Sequence, residues 1–224
     1  MRKPIIAIDG PVGSGKTTVA RGVAARLGYT HIDSGAMYRA VAWETLRRGI
    51  DAGDEAAVTR IAREMTLRFE RDAEGRQRLF VDGEDASDAI RTPEVSRVAS
   101  IVSAYPGVRE AMVAQQRALG AEGGVVMEGR DIGTVVFPDA EVKIYLDASP
   151  EERARRRTEE LRQRGVAAAF EEVLRDLRER DERDRQRAHS PLRPAPDAVR
   201  IDTTHLTVEQ VIDRIVALAR ERGA

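Results

Sequence analysis

One stretch of the sequence decides the fold: Ile5-Ile6-Ala7-Ile8-Asp9-Gly10-Pro11-Val12-Gly13-Ser14-Gly15-Lys16-Thr17-Thr18. Residues 10–17 match the pattern G-x-x-x-x-G-K-[ST] without a mismatch. An apolar run precedes the pattern and a helical pattern follows it, which is the context that a phosphate-binding loop requires. The sequence therefore predicts that residues 10–18 bind the phosphates of a nucleotide, at the junction of a buried strand and a helix.

Each residue type in this loop has a chemical reason. Glycines let backbone N–H groups turn inward and approach phosphate oxygens, which side chains and a fixed negative φ would prevent. The Lys16 ammonium is expected to reach the β- and γ-phosphates, and the Thr17 hydroxyl is the predicted ligand of Mg²⁺. The helix that follows points its positive N-terminal end at the same anion. The alternative is a Gly-rich turn without a ligand, and the pattern and its context together disfavour it.

Composition narrows the class of protein. The 224 residues are 42% apolar and 33% charged, which is typical of one globular domain spanning residues 1–224. No apolar run approaches the roughly 20 residues of a membrane span, and residues 5–8 are too short for a signal peptide. The absence of cysteine excludes disulfides and thiolate metal sites. We therefore expect a cytoplasmic protein that acts as a monomer and does not contact a membrane.

The charges are balanced overall but unusual in kind. The net charge is −1, so any anion must be bound by locally placed cations. Lys3, Lys16 and Lys143 are the only lysines, and there is no asparagine. The arginine bias fits either a GC-rich genome or a hot habitat. Glu and Asp interleave with arginine throughout residues 153–187, which disfavours nucleic-acid binding.

Apolar periodicity predicts alternating strands and helices. Buried strands are expected at residues 5–8, 30–32, 125–127, 142–146 and 199–202, with helices between them. A hairpin is expected at residues 66–70 and 78–81, around the turn Asp72-Ala73-Glu74-Gly75. Two helices are expected between Pro150 and Arg187, and Thr207 is expected to cap a terminal helix with Val208 facing inward. This order predicts a doubly wound α/β fold with the phosphate site at the carboxyl ends of the strands.

Three further polar clusters follow predicted strands or lie on a helix that could close over them. They are Asp33-Ser34-Gly35-Ala36-Met37-Tyr38-Arg39, Glu128-Gly129-Arg130-Asp131-Ile132-Gly133-Thr134 and Arg180-Asp181-Glu182-Arg183-Asp184-Arg185-Gln186-Arg187. Alone, each is more often a surface salt bridge or a solvated helix face. Their coincidence with a phosphate loop favours a binding function.

With these clusters the sequence closely resembles the bacterial cytidylate kinase family, among the P-loop nucleoside monophosphate kinases. Further matching segments are Ile90-Arg91-Thr92-Pro93-Glu94-Val95, residues 129–138 and Lys143-Ile144-Tyr145-Leu146-Asp147-Ala148-Ser149. The family transfers the γ-phosphoryl group of ATP to CMP or dCMP. The resemblance implies a five-stranded parallel core, a nucleoside-monophosphate-binding insertion at residues 38–100 and a helical lid at residues 151–167.

The resemblance also implies which residues hold the acceptor nucleotide. It places the CMP phosphate against Ser34, Arg39, Arg130 and Arg187. It places the cytosine edge against Ser100, Arg109 and Asp131, and the ribose against Arg180 and Asp184. Arginine suits the phosphate because its planar guanidinium binds bidentately and stays ionised.

The lid assignment and the catalytic set follow from the same resemblance. Six arginines crowd the lid segment: Arg153, Arg155, Arg156, Arg157, Arg162 and Arg164. Several must face solvent, and Arg156 and Arg157 are the predicted phosphate contacts. The predicted catalytic residues are Lys16, Arg130, Arg156 and Arg187, which would align and neutralise phosphate oxygens without a general base. No separate Mg²⁺ carboxylate is apparent, and Asp9 is only a candidate for supporting the metal indirectly.

Two other functions compete with this one. A kinase for another small acceptor, such as UMP or a metabolite hydroxyl like that of shikimate, would share the loop and differ in the acceptor site. A GTP-dependent switch would read guanine with an Asn-Lys-x-Asp segment, which a chain without asparagine cannot contain. ATP turnover that requires CMP would separate the kinase from the switch.

Overall fold

The computed structural model of the chain describes residues 2–73, 77–163 and 165–224. The strands are β1 (Lys3–Asp9), β2 (Thr30–Asp33), β3 (Leu67–Arg71), β4 (Gln77–Val81), β5 (Glu84–Asp85), β6 (Gly123–Gly129), β7 (Val142–Asp147) and β8 (Val199–Asp202). The helices are α1 (Lys16–Leu27), α2 (Ser34–Arg47), α3 (Glu55–Glu64), α4 (Pro93–Val102), α5 (Pro106–Leu119), α6 (Pro150–Gln163), α7 (Phe170–Gln186) and α8 (Val208–Glu221). The chain divides into two compact units, one of residues 1–31 with 122–224 and one of residues 32–121.

A five-stranded sheet has the strand order β2-β6-β1-β7-β8, and its strands β1, β6, β7 and β8 lie wholly in the first unit. Strand β1 pairs in parallel with β6 on one side and with β7 on the other, and β7 pairs in parallel with β8. Non-consecutive neighbours such as β1 and β6 require crossover connections, which is the doubly wound arrangement. The predicted α/β fold and parallel core are confirmed.

The apolar core of this unit explains why β1 and β7 lack alternation. Both strands are covered on both faces, because every residue from position 4 to 9 and from 142 to 146 is buried. Helices α1 and α8 pack together over this core, and a Cβ added at Gly22 would come within 2.3 Å of the Ile212 Cδ1 atom. Only glycine at position 22 allows this close approach of the two helices.

Side-chain caps fix the ends of several helices. The Asp33 side chain accepts a hydrogen bond from the Ala36 N–H at 3.0 Å, so α2 begins at Ser34. The terminal helix α8 has the predicted Thr207 cap, completed by Gln210 in a reciprocal capping box. The prediction that Val208 faces inward is wrong, because this first helical residue is 46% exposed.

The second unit contains helices α2 to α5 and a small antiparallel sheet of β3, β4 and β5. The predicted hairpin is confirmed by the pairing of β3 with β4, although Glu74 and Gly75 of its turn lie outside the described residues. Strand β5 was not predicted, because two residues are too short for an apolar alternation to be visible. The Tyr105 hydroxyl donates to the Ala52 carbonyl at 2.8 Å and ties the start of α5 to the loop before α3.

The arginine-rich segment forms the two predicted helices, α6 and α7. The expected lid at residues 151–167 takes in most of α6, and its Arg164 lies outside the described residues. The boundaries of this lid and of the insertion at residues 38–100 remain predictions. None of the helices in the described part of the chain combines the length and the apolar content that a membrane crossing needs.

Candidate active site

The phosphate loop joins β1 to α1, and two of its glycines are required by geometry. Gly10 has φ +154°, and a Cβ there would lie 2.1 Å from the Leu146 carbonyl oxygen of β7. Gly13 has φ +79°, and its Cβ would lie 3.0 Å from the Arg153 carbonyl oxygen of α6. Any other residue would push the loop away from the strand and the helix that support it. The predicted loop is confirmed as a tight strand-to-helix turn.

Lys16 is the first residue of α1, and its side chain folds back into the loop. Its Nζ atom donates to the Pro11 carbonyl at 2.6 Å and to the Ser14 hydroxyl at 3.4 Å. The Ser14 hydroxyl in turn donates to the Pro11 carbonyl at 3.0 Å. A buried ammonium is therefore held at the N-terminal end of a helix, where the helix dipole also favours an anion.

Glu128, near the end of β6, joins two residues of the site. Its carboxylate accepts a hydrogen bond from the Thr17 hydroxyl at 2.9 Å, and its other oxygen lies 2.9 Å from His31 Nε2. Glu128 and His31 are both buried, whereas Thr17 is exposed, so the Glu128 carboxylate links the protein interior to the surface of the loop. The sequence predicted no role for Glu128, because its contact with Thr17 depends on the order of the strands.

The oxygen donors around Thr17 fit Mg²⁺. The cation prefers hard oxygen ligands and usually combines one or two carboxylates with substrate phosphates and water. The Thr17 hydroxyl and the Glu128 carboxylate supply such oxygens beside the phosphate loop. Within the described ranges no group of three or more His, Cys, Asp and Glu side chains forms a fuller cage.

Asp9, the last residue of β1, holds the turn that follows β6. Its two carboxylate oxygens accept hydrogen bonds from the backbone N–H groups of Ile132 and Gly133, each at 2.8 Å. Burial raises the pKa of Asp9 to about 6, although the two backbone donors oppose the shift. Asp9 is a sequence-based candidate for supporting the metal indirectly, but in the structure its oxygens bind the turn that carries Arg130 and Asp131.

A buried carboxylate gathers two of the predicted phosphate-binding arginines. The Asp184 Oδ2 atom of α7 accepts from Arg130 Nε at 3.0 Å, and its Oδ1 atom accepts from Arg187 Nη2. Burial opposes ionisation of Asp184, which is 1% exposed, but the guanidinium groups of Arg130, Arg187 and Arg180 outweigh it and lower its pKa. The first unit therefore brings together Arg130, Arg180, Asp184 and Arg187, as the prediction of a common site requires.

The two predicted lid arginines have different surroundings on α6. Arg156 donates to the Thr203 carbonyl and hydroxyl at 2.7 and 3.0 Å, and a Cβ added at Gly15 would lie 3.9 Å from its Nη1 atom. Arg157 instead pairs with Glu160 at 2.7 Å along the helix. Arg156 thus lies beside the phosphate loop in the structure, whereas Arg157 takes part in a partly exposed pair.

The remaining predicted substrate residues lie in the second unit. Ser34 is buried at the start of α2, and Arg39 Nη2 donates to Asp33 Oδ2 at 2.8 Å. The Arg109 guanidinium lies 5.4 Å from the ring centroid of Tyr38. The Ser100 hydroxyl is buried and has no hydrogen-bond partner among the described residues. This unit therefore presents Ser34, Arg39, Ser100 and Arg109, and the first unit holds the other predicted residues, including the buried Asp131.

Sequence comparison assigns the chain to a family. A profile described as cytidylate kinase matches residues 6–221. The chain belongs to the cytidylate kinase family. As a member of this family it is a phosphotransferase that uses ATP, and both the resemblance and the predicted enzyme class are confirmed.

Individual relatives agree with the cytidylate kinase assignment. The cytidylate kinase of Pelotomaculum thermopropionicum is 53% identical over 214 residues, which cover 96% of this chain and 95% of the relative. The cytidylate kinase of Desulfitobacterium hafniense is 51% identical over 217 residues, with 97% and 93% covered. A bifunctional pantoate ligase/cytidylate kinase of Synechococcus is 50% identical over 222 residues, which are 98% of this chain and 41% of that longer protein.

Solved structures support the fold alone. A Thermus thermophilus protein superimposes with a TM-score of 0.50 at 19% identity, and the match covers 100% of both chains. An uncharacterized protein from Eubacterium ventriosum superimposes with a TM-score of 0.53 at 12% identity, over 97% of this chain and 99% of its own. At such low identities these matches support the fold of the chain and carry no information about its substrate.

Proposed function

We propose that this member of the cytidylate kinase family transfers the γ-phosphoryl group of ATP to CMP or dCMP, giving ADP and CDP or dCDP, in pyrimidine nucleotide metabolism. The observation that carries the proposal is the buried Lys16 in a glycine loop, in the same unit as the Arg130, Asp184 and Arg187 cluster. A donor-phosphate site and an acceptor-phosphate site are the two parts that phosphoryl transfer needs. We further propose that the enzyme acts as a monomer in the cytoplasm.

On the donor side, residues 10–18 bind the ATP phosphates through backbone N–H groups, and Lys16 neutralises charge on the β- and γ-phosphates. Thr17 and Glu128 hold Mg²⁺, a role that their adjacent oxygens support. The chemistry that Mg²⁺ supplies when bound is neutralisation of charge on the β- and γ-phosphate oxygens. The Lys16 hydrogen bonds to Pro11 and Ser14 are exchanged for bonds to phosphate when ATP enters.

On the acceptor side, Ser34, Arg39, Arg130 and Arg187 bind the CMP phosphate. Asp184 supports this role because it fixes Arg130 and Arg187 in one cluster before the nucleotide arrives, which lowers the entropy lost on binding. Arg180 and Asp184 bind the ribose, and Ser100, Arg109 and Asp131 bind the cytosine edge. The buried Ser100 hydroxyl, which has no partner among the described residues, is suited to such a contact.

Catalysis then consists of alignment and charge neutralisation. Lys16, Arg130, Arg156 and Arg187 surround the transferring group, and no general base takes part, because a loose transition state needs little covalent help. Residues 38–100 act as the nucleotide-binding insertion and residues 151–167 as the lid, from which Arg156 and Arg157 reach the phosphates. The Arg156 bonds to Thr203 must break or shift for this to happen.

A kinase for another acceptor, such as UMP or a metabolite hydroxyl, is the competing function. It is tested by an assay that couples ADP release to a signal, run across nucleoside monophosphates and small hydroxyl acceptors, with and without Mg²⁺. The proposal expects the highest kcat/KM with CMP and dCMP and loss of activity without Mg²⁺. Equal or greater kcat/KM with UMP or with a non-nucleotide acceptor would refute it.

Base choice is tested through Asp131. The exocyclic amine of cytosine donates a hydrogen bond to a carboxylate, whereas uracil presents a carbonyl oxygen that the carboxylate repels. Asp131→Ala should therefore lower kcat/KM for CMP much more than for UMP, narrowing their ratio by about one to two orders of magnitude. The exposed Asp139→Ala in the same segment is the matched control and should leave the ratio unchanged. An unchanged ratio in Asp131→Ala would mean that this residue does not read the base.

A further inference from the structure

Arg153 of α6 is an arginine buried beside the phosphate loop. Its side chain is 2% exposed, whereas Arg155 and Arg162 on the same helix are exposed. Its Nη1 atom donates to the Val12 carbonyl at 3.1 Å, and its Nε atom donates to the Ala148 carbonyl at 3.1 Å. One guanidinium therefore joins the backbone of the phosphate loop, at Val12, to the backbone that follows β7, at Ala148.

The third partner of this guanidinium lies on α7. Arg153 Nη2 and Asp181 Oδ2 are 2.7 Å apart, and the Asp181 side chain is 3% exposed. One helical turn further on, the same helix carries Asp184, which binds Arg130 and Arg187. Positions three apart share a helix face, so α7 turns two buried carboxylates toward two different parts of the site. Asp181 faces the donor-phosphate loop, and Asp184 faces the predicted acceptor arginines.

Stability alone is a weak reason for such a pair. Burying two charges costs about as much as their attraction returns, and apolar residues of similar volume often serve equally well. An apolar contact between the same elements already exists, because Val12 packs against Ala154, Val173 and Leu177 of α6 and α7. In addition, Asp181 Oδ1 is buried without a hydrogen-bond partner among the described residues, which a pair selected for stability would avoid.

We propose that the Arg153–Asp181 pair is a positioning device that couples the phosphate loop to α7. When ATP orders the loop, the Val12 carbonyl and Arg153 fix Asp181, and α7 then holds Asp184, Arg130 and Arg187 in the arrangement that binds the acceptor. Binding of CMP strengthens binding of ATP by the same factor, because coupling between two sites is reciprocal. The inference rests on the proposed function and adds how its two sites communicate.

The test compares variants that separate coupling from folding. Asp181→Asn removes the charge while keeping the shape. The double variant Arg153→Met with Asp181→Leu removes both charges and also the Arg153 hydrogen bonds to the Val12 and Ala148 carbonyls. It should remain folded and be less destabilised than Asp181→Asn, which leaves a buried guanidinium without its counter-ion. The matched control is Glu151→Gln, which breaks the exposed 2.8 Å pair of Glu151 with Arg178. That pair also joins α6 to α7 but does not reach the loop.

The measured quantity is the coupling factor, defined as the Kd of CMP alone divided by its Kd in the presence of a non-hydrolysable ATP analogue with Mg²⁺, from calorimetric titration. Asp181→Asn and the double variant should lower this factor at least about fivefold. Their Kd for each ligand alone should stay close to the wild-type value. Glu151→Gln should leave the factor unchanged.

Two results would overturn the inference: a wild-type factor near one, or a folded double variant that keeps the factor. The second result would leave the pair with a structural role only. It can be measured on the double variant even if Asp181→Asn does not fold. Wild-type protein that fails to release ADP when CMP is added would instead refute the proposed function, and this inference with it.

Discussion

The phosphate loop and the arginine-rich helices α6 and α7 position their cations differently. The loop does so through its backbone, and the helices do so through side-chain contacts. In the loop, glycines with positive φ and contacts such as Gly10 to Leu146 restrict the backbone, which directs the Lys16 side chain back into the loop. In the helices, one residue type takes several roles. Arg153 is buried on Asp181, Arg156 binds Thr203, and the Arg155 side chain is 66% exposed. The role of Lys16 can be predicted from a sequence pattern, because the backbone of the loop fixes its position. The roles of the arginines can be told apart only by how deeply each side chain is buried.

Lys16→Ala should have the largest effect on the loop side of this comparison. A preorganised donor facing the transferring group contributes transition-state stabilisation, and its loss typically costs about 10²–10³ in kcat. Steady-state kinetics with saturating ATP and CMP measure the loss, and the exposed Lys3→Ala is the control. A variant that keeps more than about a tenth of wild-type kcat would show that the loop does not act through Lys16.

Asp184→Asn should be the largest effect on the helix side. Loss of its charge leaves Arg130 and Arg187 without their shared counter-ion in a buried cluster, which should lower the free energy of unfolding by about 3 kcal/mol. It should also raise the KM for CMP, because the two arginines lose their fixed positions. Urea denaturation and CMP titration measure the two effects, and Asp176→Asn on the exposed face of α7 is the control. If the wild type and Asp184→Asn had equal free energies of unfolding, the cluster would contribute no more to stability than an exposed salt bridge does.

The same difference explains what could be predicted from the sequence. The loop, the parallel sheet and the Thr207 cap of α8 were predictable because glycine, apolar periodicity and capping residues act locally. The resemblance to a known family supplied the acceptor residues. Neither source indicated that Arg153 and Asp181 would meet, because each looks like its exposed neighbours until the helices pack. Glu128 was overlooked for a similar reason, since its contact with Thr17 depends on the order of the strands.

Asp9 offers a pH-dependent test of the loop side. Burial raises its pKa to about 6 in the folded protein, so the folded state binds a proton that the unfolded state has already lost. The stabilisation is present below pH about 4 and is lost as the pH rises toward 6, at about 1.4 kcal/mol per unit. The unfolding free energy of the wild type should fall across this window relative to Asp9→Asn, measured by denaturation without nucleotide. If the unfolding free energies of the wild type and Asp9→Asn changed with pH in parallel, the pKa of Asp9 would not be raised in the folded protein.

Arg155→Ala should have the smallest effect. Its pair with Glu152 is exposed on the arginine side, and such pairs contribute little. We expect kcat/KM for CMP to change less than about twofold and the melting temperature to stay the same. A loss comparable to that of Lys16→Ala would mean that exposure does not separate functional from solvated arginines on α6.

The contact between Gly22 and Ile212 has a consequence for how the protein is made. These residues lie near opposite ends of the sequence, and the helix that follows the phosphate loop completes its packing only when α8 is present, because α1, α8 and the central strands share one apolar core. Ribosomes add roughly 5–20 residues per second, so α1 waits on the order of 10–40 s for its partner to be synthesised. During translation the apolar side of α1 is exposed, and ATP cannot stabilise the nascent chain through a completed site. The window in which a chaperone is useful to this enzyme therefore stays open until α8 has been made.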